Sequence, residues 1–179
     1  DQLTLEDLLN GLLLYSGNDN AVAIADHIAG STEKFAEMMN AEAKKLMATN
    51  SHFVNPSGLH DDNHYTTAYD LYLIFNECIK HDEFVKIINS SSYTAHITGA
   101  DGTKRDVKWE PTNYYAKGEA TPPDNVTIIG GKTGTTKGAG NCLILLTKDS
   151  SGNPYISIIM GAGSKPLLYQ DMTSMLSKI

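Results

Sequence analysis

Val126-Thr127-Ile128-Ile129-Gly130-Gly131-Lys132-Thr133-Gly134-Thr135 decides how the last third of this 179-residue chain is read. It opens on β-branched residues that suit a half-buried pleated surface, and it predicts a strand over 126–135. Two more strands follow, Asn141 to Lys148 and Tyr155 to Gly161, with Asp149-Ser150-Ser151-Gly152-Asn153 as the turn between them. A closing helix from about Leu167 to Ile179 carries Leu168, Met172, Met175, Leu176 and Ile179. Upstream of Val126 the signals are short strands and polar loops, with Thr98-Gly99-Ala100-Asp101-Gly102-Thr103 as a hairpin-like turn and Pro122-Pro123-Asp124-Asn125 as another loop.

The first half reads helical. Thr4 is a candidate N-cap with Asp7 three residues later, and Leu5, Leu8, Leu9, Leu12 and Leu13 recur at the spacing of a buried face. That helix should end near Ser16-Gly17-Asn18. Ala21, Val22, Ile24, Ala25 and Ile28 make the next stripe, Gly30 stops it, and Ser31 caps a third helix carrying Phe35, Met38, Met39, Ala43, Leu46 and Met47. Asn55-Pro56-Ser57-Gly58 is turn chemistry, and Thr66 or Thr67 caps a helix through Asp70, Leu71, Leu73, Ile74 and Phe75, with helical character ending near Lys86. The expected organisation is a helical lobe over about 1–88 and a sheet-forming part over about 89–179.

Composition narrows the function classes. With 41% hydrophobic and 20% charged residues the chain can bury one sizeable core. Its net charge of −7 and scattered Lys and Arg lack the basic footprint of a nucleic-acid binder. No apolar run approaches the roughly 20 residues that span a bilayer, and the start at Asp1 carries no signal-peptide pattern. Cys78 and Cys142 form neither a zinc nor a redox motif and read as two buried thiols. His60-Asp61-Asp62-Asn63-His64, with His52 nearby, holds potential metal ligands but sits in turn-like surroundings, so a solvated loop is the expectation and no metal is assigned.

Two short strings carry chemistry: Ser16-Gly17-Asn18 at a helix junction and Lys132-Thr133-Gly134-Thr135 in a strand far downstream. Acyl transfer on a peptide ending in a carboxylate needs a nucleophilic hydroxyl, a base, a proton path to the leaving amine, oxyanion donors and a cation near the carboxylate. Ser16 can relay protons, and Asn18 can donate and accept toward an amide. Lys132 brings positive charge, Thr133 and Thr135 bring hydroxyls, and Gly134 leaves room for a substrate backbone along the strand edge. A P-loop is the rival for Gly131-Lys132-Thr133, but it would need Gly at position 126, which is Val126. The pair belongs to the three-part signature of penicillin-recognising serine enzymes, completed by an upstream Ser-x-x-Lys.

Five ordered stretches make the resemblance specific: residues 13–21 (Leu13 to Ala21), 35–40 (Phe35 to Asn40), 53–59 (Phe53 to Leu59), 65–71 (Tyr65 to Leu71) and 131–136 (Gly131 to Thr136). Over essentially its whole length the chain resembles the low-molecular-weight serine-type D-alanyl-D-alanine carboxypeptidases, peptidase family S11. The resemblance implies an α+β, β-lactamase/transpeptidase-like fold, an antiparallel sheet flanked by helices plus a helical lobe. It implies Ser16 in the proton-transfer network, Asn18 contacting substrate or orienting the catalytic lysine, and Lys132 assisting. Thr133 and Thr135 would bind the terminal carboxylate of a peptidoglycan stem peptide ending in D-Ala-D-Ala, or that of a β-lactam. No cofactor is implied, and the expected location is the bacterial envelope, at the outer face of the cytoplasmic membrane.

The family's Ser-x-x-Lys precedes Ser-x-Asn by some tens of residues, whereas 15 residues precede Ser16 here. The expectation is therefore a truncated, inactive piece lacking the N-terminal strands and the nucleophile helix. Ser31-Thr32-Glu33-Lys34 is a literal match in the wrong order, and it reads as a solvent-facing N-cap. An edge left unpaired at Tyr155 to Gly161, or at its neighbour, predicts a homodimer or a rearranged sheet. Two alternatives stay open: a non-catalytic wall-peptide or β-lactam binding domain, and a class A β-lactamase relative.

Overall fold

A computed structural model describes residues 1–179. Its elements in order are α1 (Leu5–Asn10), a π-helical turn (Gly11–Tyr15), α2 (Asn18–Ala29), α3 (Thr32–Lys45), α4 (Ala68–Cys78), α5 (Asp82–Ile88), β1 (Tyr93–Thr98), β2 (Lys104–Trp109), α6 (Tyr114–Lys117), β3 (Val126–Thr136), β4 (Gly140–Asp149), β5 (Pro154–Ala162) and α7 (Lys165–Leu176). The class is α+β. Both sheets are antiparallel: a β1-β2 hairpin and a separate three-stranded sheet in the order β3-β4-β5. No helix is long and apolar enough to cross a membrane.

β4 is the central strand because it is apolar on both faces. Leu143 and Leu145 join the larger core with Val126, Leu168, Tyr169, Met172 and Leu176, where α7 covers one side of the sheet. Ile144 and Leu146 point the other way, into a core with Phe75 and Ile88 from α4 and α5. A strand covered on both faces loses the polar alternation of a half-exposed one, and Cys142 to Leu146 reads as a continuous apolar run for that reason. The β1-β2 hairpin buries Ala95, Ile97 and Trp109 against Leu3.

Start signals held where a side chain makes a local hydrogen bond. Thr4 and Asp7 form a reciprocal capping box, Ser31 accepts from the Lys34 N–H, and Thr67, not Thr66, accepts from the Asp70 N–H. The predicted burial stripes fared less well. Leu5 is 56% exposed and the buried face of that segment is Asp7, Asn10, Gly11 and Leu14, at ordinary helical spacing, because Asp7 turns inward to accept from the Tyr93 hydroxyl and Asn10 donates to the Glu6 carbonyl. Val22, Ile28, Met38 and Met47 are also exposed. Cys78 and Cys142 are half-buried free thiols, a correction to the buried pair expected. A break at residues 79–81 separates α4 from α5, and the short α6 lies in a segment read as loop.

β3 contains the irregularity that matters for function. Its register against β4 shifts between Ile128 and Gly130, leaving Ile129 as the bulged residue. Val126 and Ile128 face the α7 core; without the bulge, alternation would carry Lys132 to that same face. The extra residue inverts the parity, so Lys132 pairs with Ile144 on the helical side while Thr133 pairs with Leu143 on the α7 side. Gly130 and Gly131 are required here, since a Cβ would lie 2.1 Å from the Ile88 carbonyl oxygen and 2.0 Å from that of Ile144.

Candidate active site

Ser16 sits at the end of the π-helical turn in left-handed conformation, φ 64°, a region that a non-glycine residue enters at a cost. Its neighbours hold it there. The Ser16 and Gly17 N–H groups both donate to the Gly11 carbonyl, and the Asn20 side chain fills the space where Cβ atoms on Gly11 and Gly17 would stand. The result is a sharp turn that presents the Ser16 hydroxyl toward β3.

Lys132 comes to meet it from the sheet. Its Nζ donates to Ser16 Oγ at 2.7 Å and to the Thr133 carbonyl at 2.8 Å. The side chain is half-buried, and burial, which disfavours the charged form, pushes the ammonium down to about 8. A lysine in that range can exchange its proton near neutral pH, and it is hydrogen-bonded to a hydroxyl able to pass the proton on.

The other face of β3 forms the wall of a cavity of about 230 Å³, lined by Ser16, Thr133, Gly134, Thr135 and Cys142 together with residues from two other segments. One is Thr112, whose Oγ1 lies 2.6 Å from Thr133 Oγ1 and whose N–H donates to the Leu14 carbonyl. Thr112 thereby ties the serine turn to the strand. The second is the start of α7, which brings Lys165, Leu168 and Tyr169. Ser164 caps that helix by accepting from the Leu167 N–H.

Of the residues expected from sequence, Ser16, Thr133, Gly134 and Thr135 meet in this cavity, and Lys132 is hydrogen-bonded to its edge. Asn18, the first residue of α2, is exposed and is not among the lining residues. Gly134 has nothing closer to a would-be Cβ than the Cys142 Cβ at 4.0 Å, so packing within the protein does not demand glycine there. Ser31 is a half-buried N-cap of α3 and is not among the residues that line the cavity. In the 60–64 loop His60 lies 3.5 Å from Asp62, His64 Nδ1 accepts from the Val54 N–H, and His52 Nδ1 lies 2.6 Å from the Asn63 carbonyl.

Sequence reasoning missed Thr112, Tyr114, Lys165 and Tyr169. Only a cation just after the last strand, at the cap of the last helix, hinted at Lys165. Thr112 carries no motif; its importance comes from a contact 21 residues away in sequence.

The pattern of the D-alanyl-D-alanine carboxypeptidase family, Peptidase_S11, matches residues 1–164. D-alanyl-D-alanine carboxypeptidase DacD of Escherichia coli K12 is 34% identical over 92% of this chain, and DacF of Bacillus subtilis 168 is 30% identical over 98% of it. The chain spans 39% and 42% of the length of those two relatives. Among solved structures, the Streptomyces K15 DD-transpeptidase superimposes with a TM-score of 0.87 at 30% identity, covering 97% of this chain and 66% of that one. A D-alanyl-D-alanine carboxypeptidase from Mycobacterium tuberculosis H37Rv gives a TM-score of 0.80 at 27% identity, covering 97% and 63% respectively. The fold is thus the DD-peptidase/transpeptidase fold.

Proposed function

This chain belongs to the D-alanyl-D-alanine carboxypeptidase family of serine peptidases, and from that membership we propose that it supplies half of the active site of an enzyme that removes the terminal D-Ala from peptidoglycan stem peptides through a serine acyl-enzyme. The 2.7 Å hydrogen bond from Lys132 to Ser16 carries this reading. A lysine pushed toward neutrality by burial and paired with a hydroxyl is the proton path that acylation and leaving-amine protonation require.

The roles follow from the cavity. Lys132 and Ser16 shuttle the proton, and Asn18, two residues beyond Ser16, contacts the substrate amide. Thr133 and Thr135 hold the terminal carboxylate of D-Ala-D-Ala or of a β-lactam, with Lys165 as the nearby cation and Gly134 leaving the strand open for the substrate backbone. The acylated serine is not Ser31, whose hydroxyl caps α3. It belongs to a Ser-x-x-Lys in the remainder of a protein of the relatives' length, and the 179 residues alone are inactive. The enzyme works in the bacterial envelope at the outer face of the cytoplasmic membrane, where its polymer lies. The outer edge of β5, unpaired in the β3-β4-β5 order, is where a second copy of the chain alone would add a strand.

Intact mass after incubation with a penicillin tests the proposal on the 179-residue chain and on the full-length protein. An adduct on the full-length protein alone is expected. An adduct on the short chain would move the nucleophile to Ser16 or Ser31, and none on either would replace catalysis by wall-peptide binding.

A further inference from the structure

We propose that the stacked pair Tyr114 and Tyr169 is the specificity-determining wall of the cavity, limiting the residue that leaves to a side chain about the size of a methyl group. The inference rests on the assignment of the terminal carboxylate to Thr133, Thr135 and Lys165.

The wall is rigid. The two rings lie 4.6 Å apart at 7°, and the Tyr169 hydroxyl accepts from the Tyr114 N–H at 2.9 Å, which fixes one ring on the backbone of the other. Tyr169 is 6% exposed and Leu168 2%, so neither can swing aside without opening the α7 core. Tyr115 packs edge-on against Tyr169 and lies 2.8 Å from Thr173 Oγ1, which braces the pair from behind.

Its position assigns its task. Lys165 Nζ lies 5.7 Å from the centre of the Tyr114 ring, and Lys165, Leu168 and Tyr169 lie at i, i+3 and i+4 on one face at the start of α7. A carboxylate held between Lys165 and the two threonines therefore brings the Cα of its own residue against Tyr114 and Leu168. At about 230 Å³ the cavity is smaller than the roughly 300–1,000 Å³ that drug-sized ligands occupy, as expected for a slot that takes one small residue. Packing demands alone would be met by any large apolar side chain at position 114, which is only half-buried.

The test compares release of the terminal residue from two N-acetylated tripeptides, one ending in D-Ala-D-Ala and one in D-Ala-D-Leu, by the full-length protein. Wild type should favour D-Ala by about 10- to 200-fold in kcat/KM. Tyr114→Ala should narrow that ratio at least about tenfold, mainly through a lower KM for the D-Leu peptide. Tyr114→Trp, which enlarges the wall, should widen the ratio and guards against an Ala variant that folds badly. An unchanged ratio in both variants, with D-Ala release retained, overturns the wall alone. Absence of any release by wild type overturns the site assignment and the wall with it.

Discussion

Lys132 on β3 hands a 2.7 Å hydrogen bond to Ser16, and each partner is placed by a departure from regular backbone. The bulge at Ile129 turns Lys132 toward the helices, and the left-handed turn at Ser16 aims the hydroxyl back at it. Remove either irregularity and the two side chains part. The pair is thus a product of backbone geometry before it is a product of residue type.

Burying the Lys132 ammonium makes stability depend on pH. The unfolded chain holds this proton up to its ordinary value of 10.5, the folded chain only to about 8. Between those values the unfolded state binds more protons, so the penalty is full below about pH 8 and fades as pH rises toward 10.5. Lys132→Met should therefore raise stability by roughly 2 kcal/mol at pH 7, with the gain shrinking by pH 10. Urea unfolding of both proteins at the two pH values checks this; a gain of equal size at both would contradict the assignment.

Thr112 positions Thr133 without belonging to any motif. Its hydroxyl lies 2.6 Å from that of Thr133, and its N–H is anchored on Leu14, two residues before Ser16. Thr112→Val should free the Thr133 rotor and weaken carboxylate recognition by about tenfold, the loss of one hydrogen bond of about 1–1.5 kcal/mol. Acylation of the full-length protein by penicillin should slow by that factor while its pH profile stays put, since Lys132 is untouched. A shifted profile would mean that Thr112 acts on the proton path instead.

Asp70 holds the loop that follows α3. It is fully buried, and its Oδ2 accepts from the Asn50 N–H and the Ser51 hydroxyl, both at 2.7 Å. Asp70→Ala strands those donors and should cost about 2–4 kcal/mol. Asp70→Asn keeps one acceptor oxygen and should recover part of the loss. Thermal or urea denaturation separates the three proteins, and an Ala variant as stable as wild type would show the anchor to be dispensable.

The sequence spoke clearly where local chemistry governs. Thr4, Ser31 and the run Cys142 to Leu146 all behave as their residue types and spacing require. It was silent where a long-range contact or a change of period decides. The first helix buries Asp7, Asn10, Gly11 and Leu14 in place of the leucine stripe, because a contact from Tyr93, far along the chain, draws Asp7 inward, and an apolar-stripe reading assigns polar residues to the outside. The bulge at Ile129 left a trace in the adjacent glycine pair, since glycine inside a strand often marks one, but two glycines do not say which face Lys132 will take. Half of the cavity wall comes from Thr112, Tyr114 and the start of α7, brought in by tertiary folding alone.

Three glycines of β3 look equivalent in sequence and should answer differently to alanine. At Gly130 and Gly131 a Cβ meets a backbone carbonyl oxygen at 2.1 and 2.0 Å, which only movement of the strand or of α5 can relieve. Gly130→Ala and Gly131→Ala should each lose about 2 kcal/mol or more, in the range of overpacked cores, and disturb the parity that sends Lys132 to Ser16. Gly134 has open space beside it and no left-handed φ, so Gly134→Ala should fold with stability within about 0.5 kcal/mol of wild type. If a substrate backbone runs along this stretch of β3, the new methyl group obstructs it, and penicillin acylation of the full-length protein should fall at least about tenfold while the melting temperature holds. A Gly134→Ala protein that melts early would make the glycine a folding requirement. One that is stable and acylates at the wild-type rate would move the substrate off the strand.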